Sequence, residues 1–304
     1  MNKNELIKKI IQKKEYSQLP NKDVELVFSY FEKRQVCDEE KIRLNREMLH
    51  KVFTSFVSNK LLSLKNKSFE WILRKHLSTR ERLPSYEELY KKLLKDYKEA
   101  SVIDLGCGIN GFSYNYFHKK INYLGIEAVG QLVKLANYYF DTLPSRSRGK
   151  GMSKNNLNGK VIHESLFNIE KIKKIIVGHC SVYPKLRNTG AKPRIIFLFK
   201  VLDSLEMIQG DYSKKLLKEI VPLVDTPSGH NQWSREPSIE GENLSRGKVV
   251  VSFATRSMIK KIKFRVKRNW IINFIKDNFE ILDDFELGGE RYISFRNIPL
   301  KPKE

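Results

Sequence analysis

The chain has 304 residues, 40% of them hydrophobic, which suffices for a buried core and excludes a disordered chain. Lys and Arg number 57 against 35 Asp and Glu, a formal net charge of +22. So large an excess disfavours self-association and attracts polyanions, nucleic acid before an anionic membrane surface.

Residues 1–98 read as helical. Leu6, Ile7, Ile10 and Ile11 recur three and four apart, as do Tyr86, Leu89, Leu93, Leu94 and Tyr97. Pro84 and a Ser85/Glu88 capping box announce the second of these helices. At Ala100 the pattern changes to short apolar runs alternating with helical segments. Ser101–Leu105, Asn122–Glu127, the weaker Lys160–His163, Ile195–Phe199 and Val249–Phe253 are the expected strands, the last two almost wholly apolar as central parallel strands are. Helical patterns such as Tyr212, Leu216, Leu217, Ile220 and Val221 separate them, which implies a doubly wound sheet with right-handed crossovers. A helix carrying Trp270, Ile271, Phe274 and Ile275 follows. Phe279–Leu287 and Arg291–Phe295 then flank Gly288-Gly289 as a β-hairpin.

A parallel sheet ending in an antiparallel hairpin is unusual for a nicotinamide-binding domain and expected of a seven-stranded methyltransferase. The reading is therefore an α/β chain: an all-helical domain over 1–98, then over 99–304 a Rossmann-like methyltransferase sheet of seven strands with an antiparallel C-terminal hairpin. The polar stretches Pro144–Gly159 and Asp225–Gly247 read as long surface loops. Cys37, Cys107 and Cys180 are odd in number and widely spaced, so no disulfide framework and no metal site is expected. No apolar run approaches a membrane span, and the start MNKNELIKKIIQKKEY lacks the apolar stretch of a signal peptide. A cytoplasmic, monomeric protein without membrane contact is expected.

The first strand leads into Asp104-Leu105-Gly106-Cys107-Gly108-Ile109-Asn110-Gly111. The glycines permit a tight turn and close approach of the backbone to a ligand. Asp104 stands at the carboxyl end of its strand, where open α/β sheets bind ligands. A carboxylate there can accept from an ammonium group, which S-adenosylmethionine carries and a dinucleotide does not. Gly106, Cys107, Gly108 and Asn110 form the surrounding loop. Glu127 ends the second strand, placed for ribose hydroxyls. NAD would use the same carboxylate, so Asp104 and the terminal hairpin make the distinction. Glu164, Ser165 and Leu166 follow the third strand, where the adenine ring would lie, with Glu164 as acceptor for its amino group.

Four separated segments go further. They are His76-Leu77-Ser78-Thr79-Arg80-Glu81-Arg82-Leu83, Asp104 to Asn110, Phe199-Lys200-Val201-Leu202 with Leu205-Glu206, and Val251-Ser252-Phe253-Ala254-Thr255-Arg256-Ser257. In this order they resemble the signatures of the aminoglycoside-resistance 16S ribosomal RNA guanine-N7 methyltransferases. The resemblance implies that Asp104, Gly106 and Glu127 hold the cofactor, with Phe199 a further contact. It implies that the helical region docks on ribosomal RNA of the small subunit. Ser252, Thr255 and Arg256 would lie at the active-site mouth, with Lys200 reaching cofactor or RNA. Guanine N7 already carries a lone pair, so the chemistry needs alignment and a flipped base rather than a general base. The sequence departs from the family at Gly111, where proline is common, and at Met258–Lys263, where glycines are common. The stretch between Ile172 and Pro193 and the two long loops look like insertions.

Trp270 fits a core position. Trp233 lies in the polar loop, where a base-stacking role competes with a bland surface one. The alternating run Lys260–Arg268 suits an RNA backbone. The alternative function is a non-catalytic RNA-binding or ribosome-assembly factor that keeps the fold.

Overall fold

The computed structural model describes residues 1–54, 57–61, 67–142, 159–182, 192–224, 246–256 and 268–298. Most of the loops at 144–159 and 225–247, together with Trp233 and the basic run 260–267, lie outside the described residues, as does much of the stretch between Ile172 and Pro193.

The helical region begins with α1 (Lys3–Ile11), whose Asn2 and Glu5 form a capping box, and α2 (Asn21–Glu32). Helix α3 (Asp38–Leu49) runs on into a π-helical turn at His50–Thr54. These three helices pack Leu6, Ile10, Val24, Val27, Phe28, Ile42 and Leu49 into one buried layer, at the three-and-four spacing that puts them on facing stripes. The guanidinium of Arg46 on α3 donates to the carbonyl of Ile10 at 3.3 Å, satisfying a group that the end of α1 leaves open. Short helices α4 (Phe69–Leu73) and α5 (Leu77–Arg82) lead through a 3-10 turn at Leu83–Ser85 into α6 (Tyr86–Leu93).

The expected capping box at Ser85 and Glu88 is absent. Ser85 sits at φ −115°, ψ 1° and its side chain makes no capping hydrogen bond. The preceding 3-10 turn, with Pro84 in it, already winds the chain, so Ser85 lacks the extended backbone that aims a capping hydroxyl.

Seven strands follow: β1 (Glu99–Leu105), β2 (Lys120–Glu127), β3 (Gly159–His163), β4 (Arg194–Phe199), β5 (Lys248–Ala254), β6 (Glu280–Leu287) and β7 (Glu290–Arg296). Their spatial order is β3-β2-β1-β4-β5-β7-β6. The first five are parallel, β7 runs antiparallel to β5, and β6 antiparallel to β7. Gly288 and Gly289, at φ +60° and +78°, make the hairpin turn, a conformation glycine adopts without steric cost. The order reverses between β1 and β4, and a crevice opens there at the carboxyl edge of the sheet.

Helices α7 (Gly130–Thr142), α8 (Ile169–Val182), α9 (Leu202–Ile208), α10 (Tyr212–Ile220) and α11 (Asn269–Asn278) alternate with the strands, and Trp270 packs against the core as expected. The glycine-rich turn after β1 opens into a 3-10 segment at Asn110–Tyr116 rather than an α-helix. Asn110, Gly111, Ser113 and Asn115 are weak helix formers.

The two regions share one core. On α6, Tyr86 and Tyr90 are fully buried. Tyr90 stacks on Phe117 with ring centroids 4.1 Å apart and lies parallel to Phe197 of β4 at 6.3 Å. Tyr86 stacks on Tyr116 at 5.6 Å. The helical region is thus built into one face of the sheet by aromatic packing. Tyr90→Ala should cost about 3–5 kcal/mol, the range for emptying a buried aromatic site. Calorimetry of the full chain should show one transition whose midpoint falls in the variant. Two independent transitions would contradict the shared core.

Candidate active site

Asp104, the penultimate residue of β1, is 1% exposed. Its Oδ2 accepts from Asn110 Nδ2 at 2.7 Å and from the Tyr123 hydroxyl at 2.9 Å. No hydrogen bond among the described residues reaches Oδ1. Burial pushes the carboxyl up to about 6, against the opposing pull of these two hydrogen bonds and of Arg82. Gly106 and Gly108 follow at φ +69° and +53°. The amides of Gly106 and Cys107 donate to the Ile126 carbonyl at 2.8 and 3.1 Å, which ties the loop to β2. At the end of β2, Glu127 accepts from the amides of Gly108 and Val129, both at 2.8 Å. Burial raises this carboxyl too, with the amide bonds opposing. The loop therefore holds two buried carboxylates at adjacent strand ends with glycine backbone between them.

These groups line a cleft of about 870 Å³, mouth included. Its far wall is helical: Asp23 of α2, Val52 and Phe53 after α3, and His76, Ser78, Thr79 and Arg82 around α5. A Cβ at Gly108 would approach His76 Nε2 to 3.2 Å, and one at Gly106 would meet Val201 Cγ2 at 2.7 Å. The glycines thus permit close packing of the loop against both walls. His76 is pushed down to about 3 by burial and by the positive charges of Arg82 and Lys200, so it stays neutral.

Beneath the cleft lies a buried ion network. Arg82 Nε faces both oxygens of Glu290, at 3.1 and 3.0 Å, with side chains 4% and 2% exposed. Lys200 Nζ lies 3.0 Å from Glu290 and 2.7 Å from Glu81. Ser252 Oγ donates to Glu290. Burial disfavours the charge on Glu290, yet Arg82, Lys200 and the Ser252 bond hold its pKa below the usual carboxylate range. The Arg82 guanidinium lies 4.8 Å from the Phe199 ring centre. Asn110 joins this network to the cofactor loop, since its Oδ1 accepts from Tyr86 at 2.7 Å and from Arg82 at 3.4 Å. Lys200 holds a left-handed backbone, φ +59°, a conformation that costs a non-glycine residue energy and marks a site the surroundings enforce.

No family model matches the chain, and no curated protein matches it. Solved structures do. The 16S rRNA methylase RmtB is 18% identical over 98% of this chain and 99% of its own, with TM-score 0.64. The 16S rRNA methyltransferase RmtF, in complex with S-adenosyl-L-homocysteine, is 18% identical over 98% and 100%, TM-score 0.66. An rRNA methylase from Escherichia coli is 17% identical over 98% and 100%, TM-score 0.62. The chain shares the fold of these three proteins. The likeness spans the helical region as well as the sheet.

Within this methylase fold the cleft gathers Asp104, Gly106, Cys107, Gly108, Asn110, Glu127, Leu166, Phe199 and Lys200, nine of the residues expected from sequence. Five others do not line it. Glu164 is turned to Lys171 and accepts from the Ser165 amide at 3.1 Å. Ser165 Oγ donates to Asp23. Ser252 is buried beneath the cleft on Glu290 rather than at its mouth, because its side chain shares a face of the sheet with the acid of neighbouring β7. Thr255 donates to Glu286 of the hairpin at 2.6 Å. Arg256 is exposed beside Gly289.

Sequence reading missed Asp23 and Glu290, and it quoted His76, Ser78 and Arg82 only as a signature without seeing them as a wall. Glu290 begins a strand that also carries Arg291, Ser294 and Arg296, so nothing in the sequence marks this acid as buried. Glu290→Ala would leave Arg82 and Lys200 buried with too little negative charge, and should cost about 3–5 kcal/mol. Urea denaturation of the variant measures it; a loss below about 1 kcal/mol would mean that water reaches the network.

Proposed function

We propose that the chain is an S-adenosylmethionine-dependent methyltransferase that modifies N7 of a guanine in 16S ribosomal RNA of the small subunit, acting as a cytoplasmic monomer. The observation that carries this reading is the pair Asp104 and Glu127 with the glycine loop between them, at the strand ends where the sheet order reverses. The residues present fit the cofactor. Asp104 Oδ1 offers a buried anionic acceptor for the methionyl ammonium, and Glu127 retains lone pairs for ribose hydroxyls. RmtF, of the same fold, holds S-adenosyl-L-homocysteine. When bound, S-adenosylmethionine supplies an electrophilic methyl group on a sulfonium.

The chain's own groups orient and enclose. Asp104 and Glu127 hold the methionyl ammonium and the ribose, and Phe199 with Val201 and Leu166 keeps the cleft wall apolar. Lys200 is matched by Glu81 and Glu290 and serves as a positioning charge. Guanine N7 needs no base, so alignment within a dry site is the contribution required. Arg256 is exposed after β5 and forms no ion pair among the described residues. Its guanidinium offers a planar fork to a phosphate or a guanine edge. The net charge of +22 supports RNA as the partner. No helix among the described residues is long and apolar enough to cross a membrane.

The test is methyl transfer to purified small subunits, followed by borohydride and aniline, which cleave RNA at N7-methylguanine. Cleavage at one position of 16S RNA is expected. Methylation without cleavage would move the reaction to another atom. S-adenosylhomocysteine binding with no transfer to any RNA would favour the non-catalytic RNA-binding reading. In the same assay Arg256→Ala should lose most transfer while cofactor affinity and thermal midpoint stay unchanged, and Arg256→Lys should restore little; full activity would remove Arg256 from the site.

Cofactor affinity should also depend on pH. The ionised form of Asp104 binds an ammonium, so affinity is present above about pH 6 and is lost below it. Isothermal titration of S-adenosylhomocysteine should show roughly tenfold weaker binding at pH 5 than at pH 7.5, the loss set by the ionised fraction one unit below the pKa. Asp104→Asn should bind weakly at both. Equal wild-type affinity at the two values would place the ammonium elsewhere.

A further inference from the structure

Asp23 has no role in the fold that explains its burial. It lies in the first turn of α2, where an acid commonly faces solvent, yet it is fully buried. The helix is entered through Pro20, and Asp23 does not cap it. One carboxylate oxygen, Oδ1, accepts from Ser165 Oγ, at the loop that follows β3. The other, Oδ2, is shut off from water with no hydrogen-bond partner among the described residues. Burial pushes the carboxyl up to about 7, the Ser165 bond opposing this and the charges of Glu127 and Glu164 adding to it. An unsatisfied buried carboxyl oxygen costs free energy unless a partner arrives. Asp23 also lines the cleft, as do Ala128, Leu132, Leu166 and Phe167.

The place within the cleft identifies the partner. Asp104 stands at the methionyl end and Glu127 at the ribose. Asp23 is joined to Ser165, the loop beyond β3 at the adenine end. Glu164, the acid that sequence reading assigns to the adenine amino group, points instead to Lys171. The adenine end thus lacks its expected acceptor and holds an unexpected one. Resting on the cofactor reading above, we propose that Asp23 Oδ2 accepts a hydrogen bond from the adenine amino group of the cofactor, making the helical region a specificity-determining part of the cofactor site.

The test compares two ligands, S-adenosylhomocysteine and S-inosylhomocysteine, in which an oxo group replaces the amino group. Both are titrated calorimetrically into the full-length protein and two variants. The wild type should prefer the adenosyl ligand roughly tenfold or more, the value of one buried hydrogen bond to a carboxyl group. Asp23→Ala should lose that preference. Asp23→Asn can keep its oxygen on Ser165 and turn its amide N–H outward, which should abolish or reverse the preference in favour of the oxo ligand. Circular dichroism and the unfolding midpoint establish that each variant is folded, and the near-isosteric Asp23→Asn keeps the test decisive should Asp23→Ala collapse. Undiminished preference in folded variants would overturn the assignment. So would equal weakening of both ligands, which marks a structural or ribose-facing role. A wild type that binds neither ligand would overturn the cofactor reading itself, and this inference with it.

Discussion

A buried charge must be matched inside the protein, and that requirement organises this molecule. Arg82 of the helical region and Glu290 of the last strand meet at 3.0 Å with almost no access to water. Neither is tolerable there alone. Their pairing fixes the helical region against the β7 end of the sheet, while Asn110 fixes it against the β1 end. Since Asn110 also bonds Asp104, the same network sets the orientation of the proposed cofactor carboxylate. Lys200 completes the balance and accepts a left-handed backbone to do so.

The cleft has two electrostatic characters as a result. Its floor is a matched set of charges in a low-dielectric setting, held rigid because Arg82, Lys200 and Glu290 each have two or more partners. Its walls at Asp23, Asp104 and Glu127 are carboxyls for which burial is the largest influence, raising their proton affinity above the ordinary. Such groups gain most from a ligand that brings donors or a positive charge. A polar, cationic small molecule is the complement of that wall.

The architecture was legible where periodicity reports burial directly. The apolar runs of β4 and β5 read as central strands because both their faces are covered, and Gly288-Gly289 reads as a hairpin because its backbone needs positive φ. Asp104 and Glu127 are legible as acids at strand ends, Asp104 with the glycine loop just after it, which needs no tertiary knowledge. Asp23 was not. In the first turn of a helix an acid looks like an ordinary partner for the helix dipole. Only its contact with Ser165, 142 residues away, shows otherwise. The resemblance implies a place at the mouth for Ser252, and it fails because which face a residue takes on a strand covered on both sides is not readable from sequence. The Ser85 capping signal failed because a 3-10 turn already occupied its backbone.

The Arg82–Glu290 pair also spans 208 residues of sequence, which bears on how the protein is made. A ribosome adding roughly 5 to 20 residues per second needs about 10 to 40 s to travel that distance. Throughout this interval Arg82 lacks the acid that balances it. Tyr86 and Tyr90, by contrast, gain their ring partners Tyr116, Phe117 and Phe197 well before Glu290 is made, so the aromatic packing precedes the ion pair that locks it. The charge match that joins the helical region to the sheet is thus completed only after the five parallel strands have been made.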